Sequence, residues 1–250
     1  MQHPDSVAFT LFGLDVKWYG ILIGLGFLLA IFISYRRAPS HKIDQEFILD
    51  FALFLIPLSI LGARLYYVIF SWDYYSMHPS EIFSIRNGGL AIHGGIIIGI
   101  IVALILCKWK NVNCLNLADL VFPQVALAQA IGRWGNFFNG EAHGGPTDLP
   151  WAIIVNGEKV HPTFLYESVW CFLLFFFLIW LDKRKKFTGQ IALLYGMLYS
   201  LERGFVEGLR TDSLMIGPLR QAQVISFFIF VGCLVLYIYL NKREKNKSKI

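Results

Sequence analysis

Arg133, Asn136, Asn139 and Glu141 fall within one glycine-rich stretch, GRWGNFFNGEAHGG at 132–145, at the end of an otherwise apolar run. Its five glycines, Gly144 among them, let a backbone approach another group closely, and the amides and guanidinium add side-chain donors. Arginine holds a phosphate through two parallel hydrogen bonds, so the stretch reads as an anion site. A glycine-rich helix end whose arginine snorkels to lipid headgroups accounts for the same residues. Further along, Tyr199, Arg203, Glu207 and Arg210 are spaced 4, 4 and 3 apart, which places them on one helical face. That face is either a second cation site or an ion-pair ladder, Arg203–Glu207–Arg210, that ties helices together.

NGGLAIHGG at 87–95 places His93 about one turn into an apolar helix, between glycine pairs. Imidazole is the side chain best matched to proton exchange near neutrality, although a lone histidine in such a setting also serves as a hydrogen-bonded packing residue. Tyr19, before Gly20, and His161, in HPTFLYES at 161–168, fall on the same side of their runs. All these groups are expected to converge at one level of a membrane.

The elements that must position them are apolar helices. The 250 residues are 56% hydrophobic and only 16% charged, with a mean hydropathy of +0.56. A soluble domain carries about a quarter charged residues, so a soluble enzyme is excluded. A bilayer span takes about 20 mostly apolar residues. Residues 18–35, 89–107 and 221–240 read as spans, as do 47–70, 117–136, 162–181 and 189–207, which carry Asp50, Arg64, Asp119, Arg133, Glu167, Glu202, Arg203 and Glu207. The expectation is an all-α integral membrane protein of about seven transmembrane helices, forming a single domain over 1–250. An arginine at the bilayer centre costs about 2.5–3.5 kcal/mol on insertion scales, so the embedded arginines demand partners.

The 22 Lys+Arg against 17 Asp+Glu give a formal charge of +5, but the basic residues flank apolar runs and form no patch for nucleic acid. With the N-terminus outside, fourteen fall in cytoplasmic segments: Arg36, Arg37, Lys42, Lys108, Lys110, Lys183 to Lys186, and five from Lys242 to Lys249. Five fall outside: Lys17, Arg86, Lys159, Arg210 and Arg220. Basic loops stay cytoplasmic, which puts the C-terminus in the cytoplasm. Asp5 and a single Lys17 precede the first run while Arg36 and Arg37 follow it, the reverse of a cleavable signal. The segment 137–162 is an extracytoplasmic cap, in which Trp151–Val155, the turn pair Asn156-Gly157 and Glu158–His161 predict a β-hairpin. Cys107, Cys114, Cys171 and Cys233 lack metal-ligand spacing and read as packing residues, so no metal or cofactor is expected.

Taken together, GRWGNFFNGEAHGG, WYG at 18–20, GGLAIHGG at 88–95, HPTFLYES at 161–168 and ERGFVEGLR at 202–210 resemble, in order, the blocks of the phosphatidylglycerol–prolipoprotein diacylglyceryl transferase family. The resemblance runs over essentially the whole chain. It implies a bacterial cell-membrane enzyme with its active site toward the extracytoplasmic side. The reaction implied passes the diacylglyceryl group of phosphatidylglycerol to the lipobox cysteine thiol of a preprolipoprotein signal peptide and releases glycerol phosphate. The residues fit that chemistry. Arg133 and Arg203 suit the charge that grows on a leaving phosphate, and His93 is the first choice to take the thiol proton. Tyr19, Asn136, Asn139, Glu141, Gly144, His161, Tyr199, Glu207 and Arg210 are expected around the lipid and peptide.

Two other classes use similar parts. A secondary transporter for an anionic solute also has midplane arginines and glycine-broken helices, but no convincing internal repeat is present. A structural lipid-binding protein would need no chemistry at all.

Overall fold

The computed structural model describes residues 5–85 and 88–247. Arg86, Asn87 and Lys249, which enter the charge count or the block at 87–95, lie outside the described residues. The chain is mostly helical: α1 (Trp18–Arg37), α2 (Gln45–Phe70), the single-turn α3 (Trp72–Tyr75), α4 (Ile92–Trp109), α5 (Cys114–Asn139), α6 (Thr163–Asp182), α7 (Gln190–Leu209) and α8 (Gln221–Lys247). Three antiparallel hairpins pair β1 (Val7–Leu11) with β2 (Leu14–Lys17), β3 (Ile153–Val155) with β4 (Glu158–Val160), and β5 (Met215–Ile216) with β6 (Leu219–Arg220).

Six helices, α1, α2, α4, α5, α6 and α8, are long and apolar enough to cross a membrane. In α8 only Ser226 is buried, while Phe227, Phe228, Val235 and Ile238 stand exposed. A continuous apolar surface of that kind suits lipid and not water. At 20 residues α7 is as long as α1, but Gln190, Glu202, Arg203 and Glu207 lower its apolarity, so among the described residues six helices and not seven qualify on length and composition.

The chain divides into two compact units, Met1–Ser34 with Ala118–Ile250, and Tyr35–Leu117. In the second unit α2 and α4 run antiparallel with their backbones in contact. A Cβ on Gly94 would come within 2.3 Å of Gly62 O, and one on Gly62 within 2.4 Å of Ile98 Cγ1. Small residues permit this approach where lipid supplies no hydrophobic drive between helices. Among the described residues, buried Arg64 on α2 has no acidic partner. It donates through Nε to Ile82 O at 2.7 Å, through Nη1 to Gly88 O at 3.1 Å and Gly89 O at 3.0 Å, and through Nη2 to Glu81 O at 2.6 Å. The Tyr75 ring lies 5.1 Å from its guanidinium carbon. The partners that this arginine demanded are therefore carbonyls of the loop that leads into α4. Asp50 accepts from Lys110 Nζ at 3.0 Å.

In the first unit α1 and α5 cross antiparallel on small residues: Gly26 lies on Ala128, Gly132 on Ile23 and Gly135 on Tyr19. The charge embedded early in α5 is explained by α7. Fully buried Asp119 accepts from the backbone N–H groups of Gly189 at 2.8 Å, Ile191 at 2.9 Å and Ala192 at 3.1 Å, and from Lys185 Nζ at 3.1 Å. The opening amides of a helix have no partner within it, and a negative charge there also meets the positive end of the helix dipole. Leu174 and Leu178 of α6 pack with Ile191 and Tyr195 of α7 and Ala126 of α5. Gln223 Nε2 on α8 donates to Gly204 O on α7 at 3.0 Å.

The hairpin expected within 137–162 forms as β3–β4, with Asn156 and Gly157 at φ 52° and 86°, the two left-handed positions of a type I′ turn. Its Ile153, Val155 and Val160 pack on Phe137 and Phe164. The hairpin β1–β2, turning at Phe12 and Gly13 (φ 51° and 75°), has no counterpart in the expectations from sequence. The third expected span starts at Ile92 and not at 89, because Gly88 and Gly89 hold φ of 87° and 73°. His93 is thus the second residue of α4 and not a turn inside it.

Candidate active site

Three helices bring four charges together in the first unit. Glu167, on α6 and nearly fully buried, spans both arginines. Its Oε1 accepts from Arg203 Nη1 on α7 at 2.7 Å, and its Oε2 pairs with Arg133 Nε on α5. Glu207, one turn beyond Arg203, pairs through Oε2 with Arg203 Nη2 at 2.6 Å. Arg133 Nη2 also donates to Tyr199 OH at 3.4 Å, and the Tyr199 ring stacks on Tyr195 at 5.6 Å and 7°. The Glu167 and Glu207 side chains are 2% and 3% exposed and those of Arg133 and Arg203 20% and 18%, so the acids anchor the cluster and the arginines form its more accessible rim. Among the described residues none takes the Nη1 group of Arg133. A rim of arginine donors backed by buried carboxylates is pre-organised for an anion.

A second group forms at the end of α5. Asn136 and Asn139 both donate through Nδ2 to Glu141 Oε1, at 3.0 and 3.1 Å, and Glu141 N–H returns to Asn136 O at 3.1 Å. The three expected site residues thus hold one another in a tight turn.

The chain then threads back through Gly144. Its N–H donates to His161 O at 2.9 Å, the next amide donates to Leu209 O at 2.9 Å, and Gly144 pairs across an isolated bridge with Arg210. A Cβ at Gly144 would lie 2.6 Å from His161 Cβ and 3.0 Å from Leu209 O, so this crossing admits no side chain. Thr163 Oγ1 donates to Ala142 O beside it. The His161 ring sits 3.3 Å through Nδ1 from Tyr166 OH, and that hydroxyl accepts from Trp151 Nε1 at 3.0 Å.

Arg210 departs from the expected ladder. α7 ends at Leu209 and Arg210 is extended at ψ 147°, so it leaves the face of Tyr199, Arg203 and Glu207. Its Nε and Nη2 donate to Asp212 Oδ1 and Oδ2 at 2.9 and 2.8 Å. The Arg210 guanidinium holds the Asp212 carboxyl below the usual carboxylate range. Arg220 closes the turn, donating to Arg210 O at 2.9 Å and to Glu207 O.

Tyr19, the second residue of α1, lies against α5. A Cβ on Gly135 would come 2.7 Å from Tyr19 Cδ2, so the glycine after Trp134 makes room for this ring. His93 belongs to the other unit, where its ring faces Tyr66 at 6.1 Å. Glycine pairs on either side of a histidine could leave room for a substrate to approach. Gly94 and Gly95 instead face α2, at Gly62, Tyr66 and Ser59, and Gly89 faces Arg64 Nη1, so at these positions the missing side chains serve helix packing.

Glu167, the hub of the cluster, was noted in the sequence only as an embedded charge. Its signal was nevertheless present, as an acid inside an apolar run that also contains HPTFLY. Asp212 gave no signal beyond its place two residues after Arg210.

Comparison with known proteins gives one consistent result. A family model described as prolipoprotein diacylglyceryl transferase matches residues 6–239. A phosphatidylglycerol–prolipoprotein diacylglyceryl transferase of Clostridioides difficile (strain 630) is 54% identical over 242 residues, covering 97% of this chain and 98% of the relative. Proteins of the same name from Finegoldia magna and Clostridium novyi (strain NT) are 53% and 46% identical. The first covers 96% of this chain and 97% of the relative, the second 98% and 99%.

Proposed function

The chain belongs to the prolipoprotein diacylglyceryl transferase family, and we propose that it moves the diacylglyceryl group of phosphatidylglycerol onto the lipobox cysteine thiol of preprolipoproteins. This is the first step of lipoprotein modification. The substrate sulfur bonds to the glycerol carbon as the bond from that carbon to the phosphate oxygen breaks. The electron pair stays on the oxygen, glycerol phosphate leaves, and the thiol proton passes to a base.

The observation that supports this division of labour is the meeting of Arg133 and Arg203 on Glu167. Two guanidiniums from different helices, oriented from behind by one buried carboxylate, offer donors to a phosphodiester and to the charge that grows as it departs. Glu207 and Tyr199 fix their directions. The turn of Asn136, Asn139 and Glu141, the crossing at Gly144, and Tyr19, His161 and Arg210 surround the lipid and the peptide. A free thiol has a pKa of about 8.5 and attacks as thiolate, so His93 serves as the proton acceptor.

The whole chain acts as one transferase domain in the bacterial cell membrane. Seven helices cross it, α7 among them because its polar face turns inward to this cluster. The N-terminus and the cap 137–162 lie outside and the C-terminal tail in the cytoplasm, as the basic residues require. The active site faces outward, where the lipid and the signal peptide are both met. Purified protein in detergent, given phosphatidylglycerol and a lipobox peptide, should yield a peptide heavier by one diacylglyceryl group. A transporter or a lipid-binding protein would leave the peptide mass unchanged.

A further inference from the structure

Glu202 sits on α7 beside Arg203, is 6% exposed, and among the described residues neither of its carboxyl oxygens has a hydrogen-bond partner. The other buried acids of this unit are held: Glu167 by two arginines, Glu207 by one, and Asp119, at the far end of α7, by three amides and a lysine. Charged and titratable groups of α5, α6 and α7 act on Glu202 electrostatically. Arg133 comes from α5, Glu167 and Cys171 from α6, and Arg203 from α7 itself. From α8, Cys233 lies against Gly196 and Tyr237 against Gln190, farther along α7.

The charges without Glu202 already balance, two guanidiniums against Glu167 and Glu207. A third carboxylate, buried and without a donor, would be an uncompensated charge, which a low-dielectric interior opposes strongly. A carboxylic acid meets no such opposition. The site would also work differently in the two states. An anionic Glu202 next to Arg203 would compete with an anionic ligand for the field of both arginines, whereas a neutral one leaves that field to the ligand.

We propose that Glu202 is a positioning residue that holds a proton in the working enzyme, and that its neutrality keeps Arg133 and Arg203 available to the phosphodiester of the lipid substrate. This rests on the reading of the two arginines as the phosphate site. Ionisation of Glu202 at alkaline pH weakens lipid capture, so KM for phosphatidylglycerol rises before kcat falls.

Glu202→Gln copies the shape of the neutral acid and removes the titration. The variant should turn over near the wild-type rate at neutral pH. Its KM should stay nearly flat into the alkaline range where wild-type KM rises on the order of tenfold, the effect of one added charge near an ion pair. Infrared spectra should show the hydrogen–deuterium-sensitive carbonyl band of a protonated carboxyl in wild type at neutral pH. That band should be missing from Glu202→Gln.

If the variant does not fold, wild type alone suffices, because the band must vanish over the pH interval in which KM rises. Absence of the band at neutral pH overturns the proposal, whether or not the arginines bind phosphate. Parallel KM profiles for wild type and Glu202→Gln overturn it as well, as does a rise in wild-type KM that does not track the band. Loss of lipid binding in Arg133→Ala tests the phosphate reading separately.

Discussion

Glu167 Oε1 accepts a hydrogen bond from Arg203 Nη1 at 2.7 Å while the other oxygen of the same carboxylate pairs with Arg133, so a single side chain of α6 sets the spacing between cations of α5 and α7. Removing one partner of a buried ion pair costs about 3–5 kcal/mol. Glu167→Ala should therefore lower thermal stability by that order. Glu167→Gln, which keeps one acceptor oxygen, should stay folded but lose at least about tenfold in turnover. Wild-type turnover in Glu167→Gln would remove the carboxylate from any role in orienting the arginines.

Arg133 is predicted to act through the shape of its fork as well as its charge. Arg133→Lys keeps the charge but cannot pair with Glu167, Tyr199 and a phosphate at once, and should lose much of the activity. Arg133→Ala should lose nearly all of it, on the order of the 10²–10³-fold seen when a transition-state donor is deleted. Initial rates and phosphatidylglycerol binding, measured side by side, check both. An Arg133→Ala protein with normal rate and affinity refutes the phosphate assignment.

His93→Gln distinguishes a proton acceptor from a packing residue. General acid–base assistance is worth about 10²–10⁴-fold, so the folded variant should lose that much in turnover while binding lipid normally. A near-normal rate would falsify the base assignment and move proton removal to solvent under the arginine field.

Orientation is tested with single cysteines on a cysteine-free background. Asp148→Cys, in the cap, should react with a membrane-impermeant thiol reagent added outside intact cells. Lys245→Cys, near the end of α8, should react only after the membrane is opened. The opposite pattern would invert the topology.

Asp212 predicts an acid-side signature. Its carboxyl is held low by hydrogen bonds from Arg210, so its ionised form stabilises the fold at pH values above the unfolded pKa. That contribution is lost as pH falls through the depressed folded value. Wild type should melt above Asp212→Asn at neutral pH, and the gap should close only below about pH 3.9, the ordinary aspartate value. Thermal unfolding in detergent at stepped pH measures it, and a gap that widens on acidification contradicts the pairing.

Much of this protein was determined by its sequence alone. Apolar runs of bilayer length have few stable outcomes, so the six helices apolar enough to cross a membrane could be read from composition, and the ordered blocks around Arg133, His161 and Arg203 already carried the family. The Asn156-Gly157 turn was equally readable, since two left-handed residues in succession strongly favour that pair.

Only the tertiary structure decided what the embedded charges do, because a partner on another helix leaves no periodic trace in sequence. Arg64 turned out to bind carbonyls, Asp119 to cap α7, and Glu167 to join two arginines that lie 70 residues apart in the chain. Helical spacing placed Arg210 with Arg203 and Glu207, but α7 stops one residue short of it. A helix end depends on what satisfies its last carbonyls, and here that is Arg220, donating to the carbonyl of Glu207 from the far side of the turn.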